Sequence, residues 1–223
     1  CWDEGCFALA RFAEATTLPV LASFRRQDLI DNDHPCYAAH LSLGIPPHLQ
    51  QRMKTADLII ALGTRLGDIN TMTYSLLPPP RLAARLVHIH PGPAELNRVY
   101  QADLAIAASP SAAAIRLVEI EPVAPRWSAW TESARREYEK FIQVPQNGPR
   151  RGVDLAVVIR HLATQLPANA ILSNGAGNFT VWVHRFFTYR QLHTELAPTS
   201  GAMGYGFPAS IAASLRHPDR VSV

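Results

Sequence analysis

Two glycine-bearing segments late in the chain carry residue types that a phosphate-bearing ligand would use. Asn174-Gly175-Ala176-Gly177-Asn178 follows the apolar run Ala170-Ile171-Leu172-Ser173 and precedes a helical stretch near 179–187. In an open parallel sheet, ligands bind beyond the carboxyl ends of the strands. Unpaired N–H groups at the start of the following helix favour an anion such as phosphate, and glycines let the backbone come close. The segment is not the dinucleotide fingerprint, which needs three spaced glycines and a later acidic residue. It is not a Walker loop either, because no Gly-Lys-Ser/Thr follows. Taken alone it also reads as a tight strand-to-helix turn that binds nothing.

The second segment, Thr199-Ser200-Gly201-Ala202-Met203-Gly204-Tyr205-Gly206-Phe207-Pro208, runs into a helix of small residues that includes Ala209, Ala212, Ala213 and Ser214. Small residues allow close packing against a sheet or a bound ring. Met203 is polarisable and adaptable, suited to supporting an aromatic heterocycle. A core Met at a glycine-rich helix entry is the competing reading. A third candidate is Ala56–Asp68, an apolar strand closed by Gly63-Thr64-Arg65. Arg65 there could grip a phosphate with both guanidinium arms, or serve as a surface residue.

Other chemistry finds little footing. Among nine histidines, His34, His40 and His48 lack ligand spacing. His88 and His90 alternate on a strand without a third ligand nearby. No Gly-x-Ser-x-Gly elbow supports a serine hydrolase. Glu132, Arg135, Arg136 and Glu139 read as a solvated helix face.

The elements that must position these residues alternate. Helical spacing covers 5–15, 48–55, 110–118, 126–142, 153–165, 179–187 and 204–215. Strand-like runs cover 18–22, 56–62, 86–89 and 170–173, and 220–223 reads as the opening of another strand. On the helix at 153–165, Val153, Ala156, Val157, Leu162 and Ala163 are placed mostly on one side. This alternation implies parallel βαβ units. The fold class is therefore α/β, a Rossmann-like parallel-sheet unit followed by a truncated second α/β unit. The Pro-rich stretch after Glu121 and the turn Gln146-Asn147-Gly148-Pro149 put the boundary inside 121–150. The division is 1–122 as the first unit, 123–150 as a linker with a helix, and 151–223 as the second.

With 48% hydrophobic and 17% charged residues, the balance is that of a soluble globular protein. A net charge of +3 predicts no polyanion-binding face, so nucleic acid is set aside. The apolar runs are too short to cross a bilayer. Cys1, Cys6 and Cys36 cannot all pair within the chain, which suits a reducing, cytoplasmic setting. Cys1 followed closely by Asp3 and Glu4 is no leader pattern. The missing initiator Met and the unfinished strand at 220–223 suggest an internal piece of a longer protein.

In their order and spacing these segments resemble the thiamine-diphosphate enzyme family that includes acetolactate synthase and benzoylformate decarboxylase. His34-Pro35-Cys36-Tyr37, Ala56–Leu66, Leu86–Pro91 and Val99–Ile106 resemble the family's central domain, and residues from about 151 resemble the start of its diphosphate-binding domain. The resemblance covers nearly the whole chain. It implies thiamine diphosphate with Mg2+ and a 2-keto acid substrate that is decarboxylated or carboligated, as in a lyase or transferase. The cofactor carries that chemistry, while the protein bends and orients it. Met203 would support the bend and add a main-chain contact beside Ala202. Gly201 would offer its carbonyl to the pyrimidine amino group. Ala176, Gly177 and Asn178 would meet the diphosphate.

Two departures bear on activity. The family's metal motif, Gly-Asp-Gly with a later Asn, would begin just after Val223. The glutamate that activates the pyrimidine belongs to an N-terminal domain outside this sequence. That domain comes from a second subunit in the family, so the resemblance implies a homodimer or homotetramer. It also implies no catalytic residue and no metal ligand within these 223 residues, and no turnover by this piece alone. FAD in the first unit is a further expectation, weakened by His90-Pro91 where the family has an acidic residue. A non-catalytic nucleotide-binding (FAD or NAD) module and an NAD-dependent oxidoreductase are the alternatives.

Overall fold

The structure, a computed structural model, describes residues 2–121, 124–149 and 151–223. Every strand pairing in it is parallel, as the alternation of elements predicts. In the first unit β1 (Val20–Ala22) pairs with β2 (Tyr37–His40). A three-stranded sheet has the order β3 (Leu58–Leu62), β4 (Arg85–His90), β5 (Leu104–Ala107). In the second unit β6 (Leu172–Ser173) pairs with β7 (Glu195–Leu196), and Ile171 bridges Ser222 within the expected 220–223 strand.

Helices surround these strands. They are α1 (Trp2–Thr16), α2 (Pro47–Thr55), α3 (Pro110–Leu117), α4 (Ser128–Phe141), α5 (Leu155–Gln165), α6 (Thr180–Phe186) and α7 (Gly206–Arg216). Helix α3 has Ser109 as its cap, accepting from the Ala112 N–H, with Pro110 in the first turn. This is a standard start signal. Asp154 caps α5 in the same way through the Ala156 N–H. The first unit's core gathers Tyr37, Leu49, Ala61, Leu76, Leu86 and Tyr100. Burying such side chains contributes about 1.5–3 kcal/mol each.

Helix α4, in the stretch assigned to the linker, packs on β2. The Tyr138 ring meets Tyr37 edge-on at 5.0 Å and joins the first unit's core. Its charged face needs one correction. Arg136 and Glu132 are solvated, but Arg135 is largely buried and donates to the carbonyls of Asn32, His34 and Tyr37 as well as to Glu139. A guanidinium offers five donors, and here the carbonyls of two loop residues and of the first residue of β2 use them. Helix α5 needs another. Ala156 and Ala163 are buried with Ile159 and Leu162 partly so, whereas Val153 and Val157 are exposed.

The two units meet along a buried polar seam. Its centre is the segment 25–33, between β1 and β2. Asn32 is fully buried. It receives the Tyr189 N–H on Oδ1, donates its own N–H to the Tyr189 carbonyl, and ties the loop carbonyls of Gln27 and Ile30. Asp28 and Glu195 each take up backbone N–H groups of the other's segment. Asp28 Oδ2 accepts the N–H groups of Thr194 and Glu195, while Glu195 Oε2 accepts the Gln27 N–H at 2.6 Å. Gln27 also donates to the His184 carbonyl.

This seam titrates. Burial, then the Asp28 carboxylate, pushes Glu195 up to about 8. Burial lowers His40 to about 3 and His184 to about 4, so both rings are neutral at ordinary pH. A carboxyl raised above its ordinary 4.5 contributes stability that is full below that value and is lost as pH climbs through the folded value. The two histidines act in the opposite sense up to their ordinary 6.5, where the unfolded rings bind protons that the buried ones refuse. The carboxyl therefore dominates only above that value, and the unfolding midpoint should fall as pH rises from about 6.5 to about 8.5. Glu195→Gln, which mimics the protonated form, should flatten that limb and melt about 3–6 °C higher at alkaline pH. Thermal denaturation across pH checks this. A wild-type-like slope in the variant would show that Glu195 is not the titrating group.

Candidate functional site

Parallel pairing of Ser173 with Leu196 brings the ends of β6 and β7 side by side, so the two glycine-bearing segments leave the sheet together. They also touch further along. At Gly206, the first residue of α7, an added Cβ would lie 2.8 Å from the Gly175 nitrogen and 2.9 Å from the Asn174 carbonyl carbon. Only a residue without a side chain allows that approach. Gly201 has φ of +72°, which other residues avoid, and open space where a Cβ would stand. Sequence reasoning placed the first loop after a strand and the second at a helix entry, and the fold joins them along one edge.

The sequence-predicted residues all lie on this edge. Ala176 is half-buried, and Gly177, Asn178, Gly201 and Ala202 are exposed. Met203 is 85% exposed, so it is no core Met. Among the described residues, the N–H groups of Ala176, Gly177, Asn178, Ala202, Met203 and Gly204 donate to no protein acceptor, and the Gly201 carbonyl accepts from none. Beneath the loops, the Asn174 side-chain amide and the Ser173 hydroxyl are buried without partners. Buried polar groups are rarely left so. The edge can therefore offer several backbone donors to an anion, one carbonyl to an amine, and a bare thioether to a flat apolar ring.

Arg25 was not predicted. It follows β1 in the first unit, is 3% exposed, and has a left-handed backbone with φ of +57°. Its guanidinium donates to the carbonyls of Gly175, at 3.0 Å, and Pro198. It lies 4.8 Å over the Phe24 ring, which in turn meets His184 edge-on. His184 Nδ1 bonds Ser42 at 3.0 Å. Burial lowers the Arg25 pKa, with the Glu195 charge opposing. In sequence, Arg25-Arg26-Gln27-Asp28 looks like a solvated loop. Its place after a strand's carboxyl end was the only hint.

The remaining candidates separate from this edge. Arg65 sits at the rim of a cavity of about 480 Å³ between the ends of β1 and β3, with an exposed side chain 3.7 Å from Glu95. Asn70 closes that cavity's floor by bonding Ser23, Thr64 and the Phe24 N–H. His88 bonds the Thr64 carbonyl, and His90 receives the Gly92 N–H. Among the described residues no group of His, Cys, Asp and Glu could hold a metal, and no helix is long and apolar enough to cross a membrane.

Comparison with known proteins gives two matched regions. A family model described as "Thiamine pyrophosphate enzyme, central domain" matches residues 2–117. A second, "Thiamine pyrophosphate enzyme, C-terminal TPP binding domain", matches 175–223. Among curated proteins, the chain is 28% identical to the mitochondrial acetolactate synthase catalytic subunit of Saccharomyces cerevisiae, over 96% of this chain and 32% of that protein. It is 29% identical to the acetolactate synthase large subunit of Lactococcus lactis, over 84% of this chain and 30% of that one. It is 27% identical to a probable acetolactate synthase large subunit of Methanocaldococcus jannaschii, over 94% of this chain and 36% of that one. The chain thus spans about a third of the length of these relatives. The matched descriptions name thiamine pyrophosphate and lend no support to FAD. Relatives from mitochondria and chloroplasts leave the cytoplasmic expectation without support from this likeness.

The close approach at Gly206 can be tested without ligand. Alanine in a helix is ordinarily favoured over glycine by about 1 kcal/mol. Gly206→Ala should instead destabilise by about 1–3 kcal/mol, because the methyl meets backbone that cannot move aside. Denaturant unfolding measures it, and a stabilised variant would contradict the close approach.

Proposed function

This chain belongs to the thiamine pyrophosphate enzyme family, and from that premise we propose that it forms part of a thiamine diphosphate- and Mg2+-dependent enzyme that decarboxylates or carboligates 2-keto acids. The observation that carries the reading is the joined pair of loops at 174–178 and 199–206, with free backbone donors, a free carbonyl and a bare thioether on one edge. The names of the relatives favour this reading over the non-catalytic nucleotide module and over the nicotinamide oxidoreductase.

The residues fit the cofactor. Free N–H groups at 176–178 suit the diphosphate. The Gly201 carbonyl suits an amino group on the pyrimidine, and the Met203 N–H suits a ring nitrogen. The exposed Met203 side chain offers the apolar surface over which the cofactor would bend, with Ala202 leaving room beside it. When bound, thiamine diphosphate supplies the carbon nucleophile for attack on a keto group and the sink for the electrons of decarboxylation. This chain's part is to anchor, bend and shield.

Helix α7 supports an assembly. Phe207, Ile211 and Leu215 recur every four residues on one face and are exposed, Phe207 and Leu215 to 80% each. They make an apolar stripe of the kind that marks a covered surface. A second copy of the protein is the proposed cover, giving a homodimer or homotetramer.

Calorimetric titration of the natural full-length protein with thiamine diphosphate, with and without Mg2+, tests the reading. Binding that strengthens with the metal is expected, and none at millimolar cofactor would defeat it. Met203→Ala should weaken binding by about ten-fold, the order expected for losing one buried apolar contact. Its unfolding midpoint without cofactor should be unchanged, since the side chain is exposed in the free protein.

A further inference from the structure

We propose that Arg25 is a positioning residue that ties the two cofactor-facing loops together from the neighbouring unit, so that the opening between them is set before any ligand arrives. This rests on the cofactor reading above for its consequence, but the tie itself is geometric. One guanidinium donates to the Gly175 carbonyl in the first loop and to the Pro198 carbonyl at the root of the second. The planar fork holds its two arms at a fixed separation, which a pair of independent contacts could not do.

The cost of holding Arg25 there argues against an incidental contact. The side chain is almost wholly buried, and its Nε has no partner. Among the described residues no carboxylate lies within ion-pair distance, so the two loop carbonyls are its polar partners. Its backbone adopts a left-handed conformation uncommon outside glycine. Strain and buried charge of this kind concentrate at functional sites and persist only where the surroundings enforce them. Here the surroundings are the Phe24 ring beneath the guanidinium and His184, which meets Phe24 edge-on and bonds Ser42 across the two units.

Hydrogen bonds to a charged group contribute about 1.5–3 kcal/mol, so a loop pair that must be ordered by the ligand instead should bind it about ten- to a hundred-fold more weakly. The test compares Arg25→Met and Arg25→Lys with wild type in the full-length protein. Two readouts are used: calorimetric affinity for thiamine diphosphate with Mg2+, and amide hydrogen exchange without ligand.

Arg25→Met should lose affinity to that extent. It should also exchange faster at 175–178 and 197–205, while β3–β5 amides keep wild-type rates. Arg25→Lys, with one ammonium in place of the fork, should fall between the two. Wild-type affinity and wild-type loop exchange in folded Arg25→Met would overturn the proposal. If that variant does not fold, the same result in Arg25→Lys would overturn it. If wild type itself binds no thiamine diphosphate, the cofactor reading fails separately. Loop exchange alone then decides the tie, with faster exchange supporting it and unchanged exchange overturning it.

Discussion

The buried polar seam between residues 25–33 and the second unit is the constraint on which the rest depends. The second unit contributes only short strands, β6 and β7 of two residues each, and a small apolar cluster around Leu172, Val183, Phe187 and Tyr189. Strands that short order little backbone by pairing alone. They are held because Asp28 takes the N–H groups of Thr194 and Glu195, Gln27 and Glu195 bond in return, and Asn32 locks Tyr189. A buried hydrogen bond contributes about 1 kcal/mol net, but leaving its groups unpaired costs more. The seam therefore specifies one docking geometry more strongly than it stabilises the docked state.

That geometry decides where the two loops end. The ends of β6 and β7 are adjacent because Ser173 pairs with Leu196. β7 is where it is because Glu195 is anchored to the loop after β1. Moving the seam by one residue would reverse the sides to which Glu195 and Leu196 point. Glu195 would then face away from Gln27, and the loop carrying Gly201 and Met203 would leave the sheet displaced from Gly175. Docking and site construction are one event in this fold.

Long periodic segments and the apolar strand runs at 18–22, 56–62, 86–89 and 170–173 were legible in the sequence, and strands without such a run were not. Helices α1, α2, α3 and α4 lie within a few residues of their predicted spans, and β3 and β4 were announced by Leu58-Ile59-Ile60 and Leu86-Val87-His88-Ile89. Strands β2, β5 and β7 went unseen. Tyr37-Ala38-Ala39-His40 and Leu104-Ala105-Ile106-Ala107 are rich in alanine, which has little strand preference. Glu195-Leu196 carries a carboxylate whose burial depends on partners about 170 residues earlier. The same reason hid Arg25 and Arg135. A charged side chain reads as solvated unless the carbonyls that receive it are known, and those come from other elements. The candidate loops were readable because glycine need is local, set by positive φ at Gly201 and close approach at Gly206.

The seam also explains why a carboxylate and a guanidinium are both buried without touching. Glu195 raises the Arg25 pKa through space, while burial lowers it. The two groups therefore report on each other through the low-dielectric interior rather than through a hydrogen bond. With Glu195 protonated, the guanidinium behind the loops is less compensated and the edge is more attractive to an anion. With Glu195 ionised, the charge pair is better balanced, but Glu195 and Asp28 repel. The neutral carboxyl therefore removes the repulsion with Asp28 and leaves the surroundings of Arg25 more positive. A glutamate kept neutral at this joint by burial therefore favours the docked seam below its raised pKa.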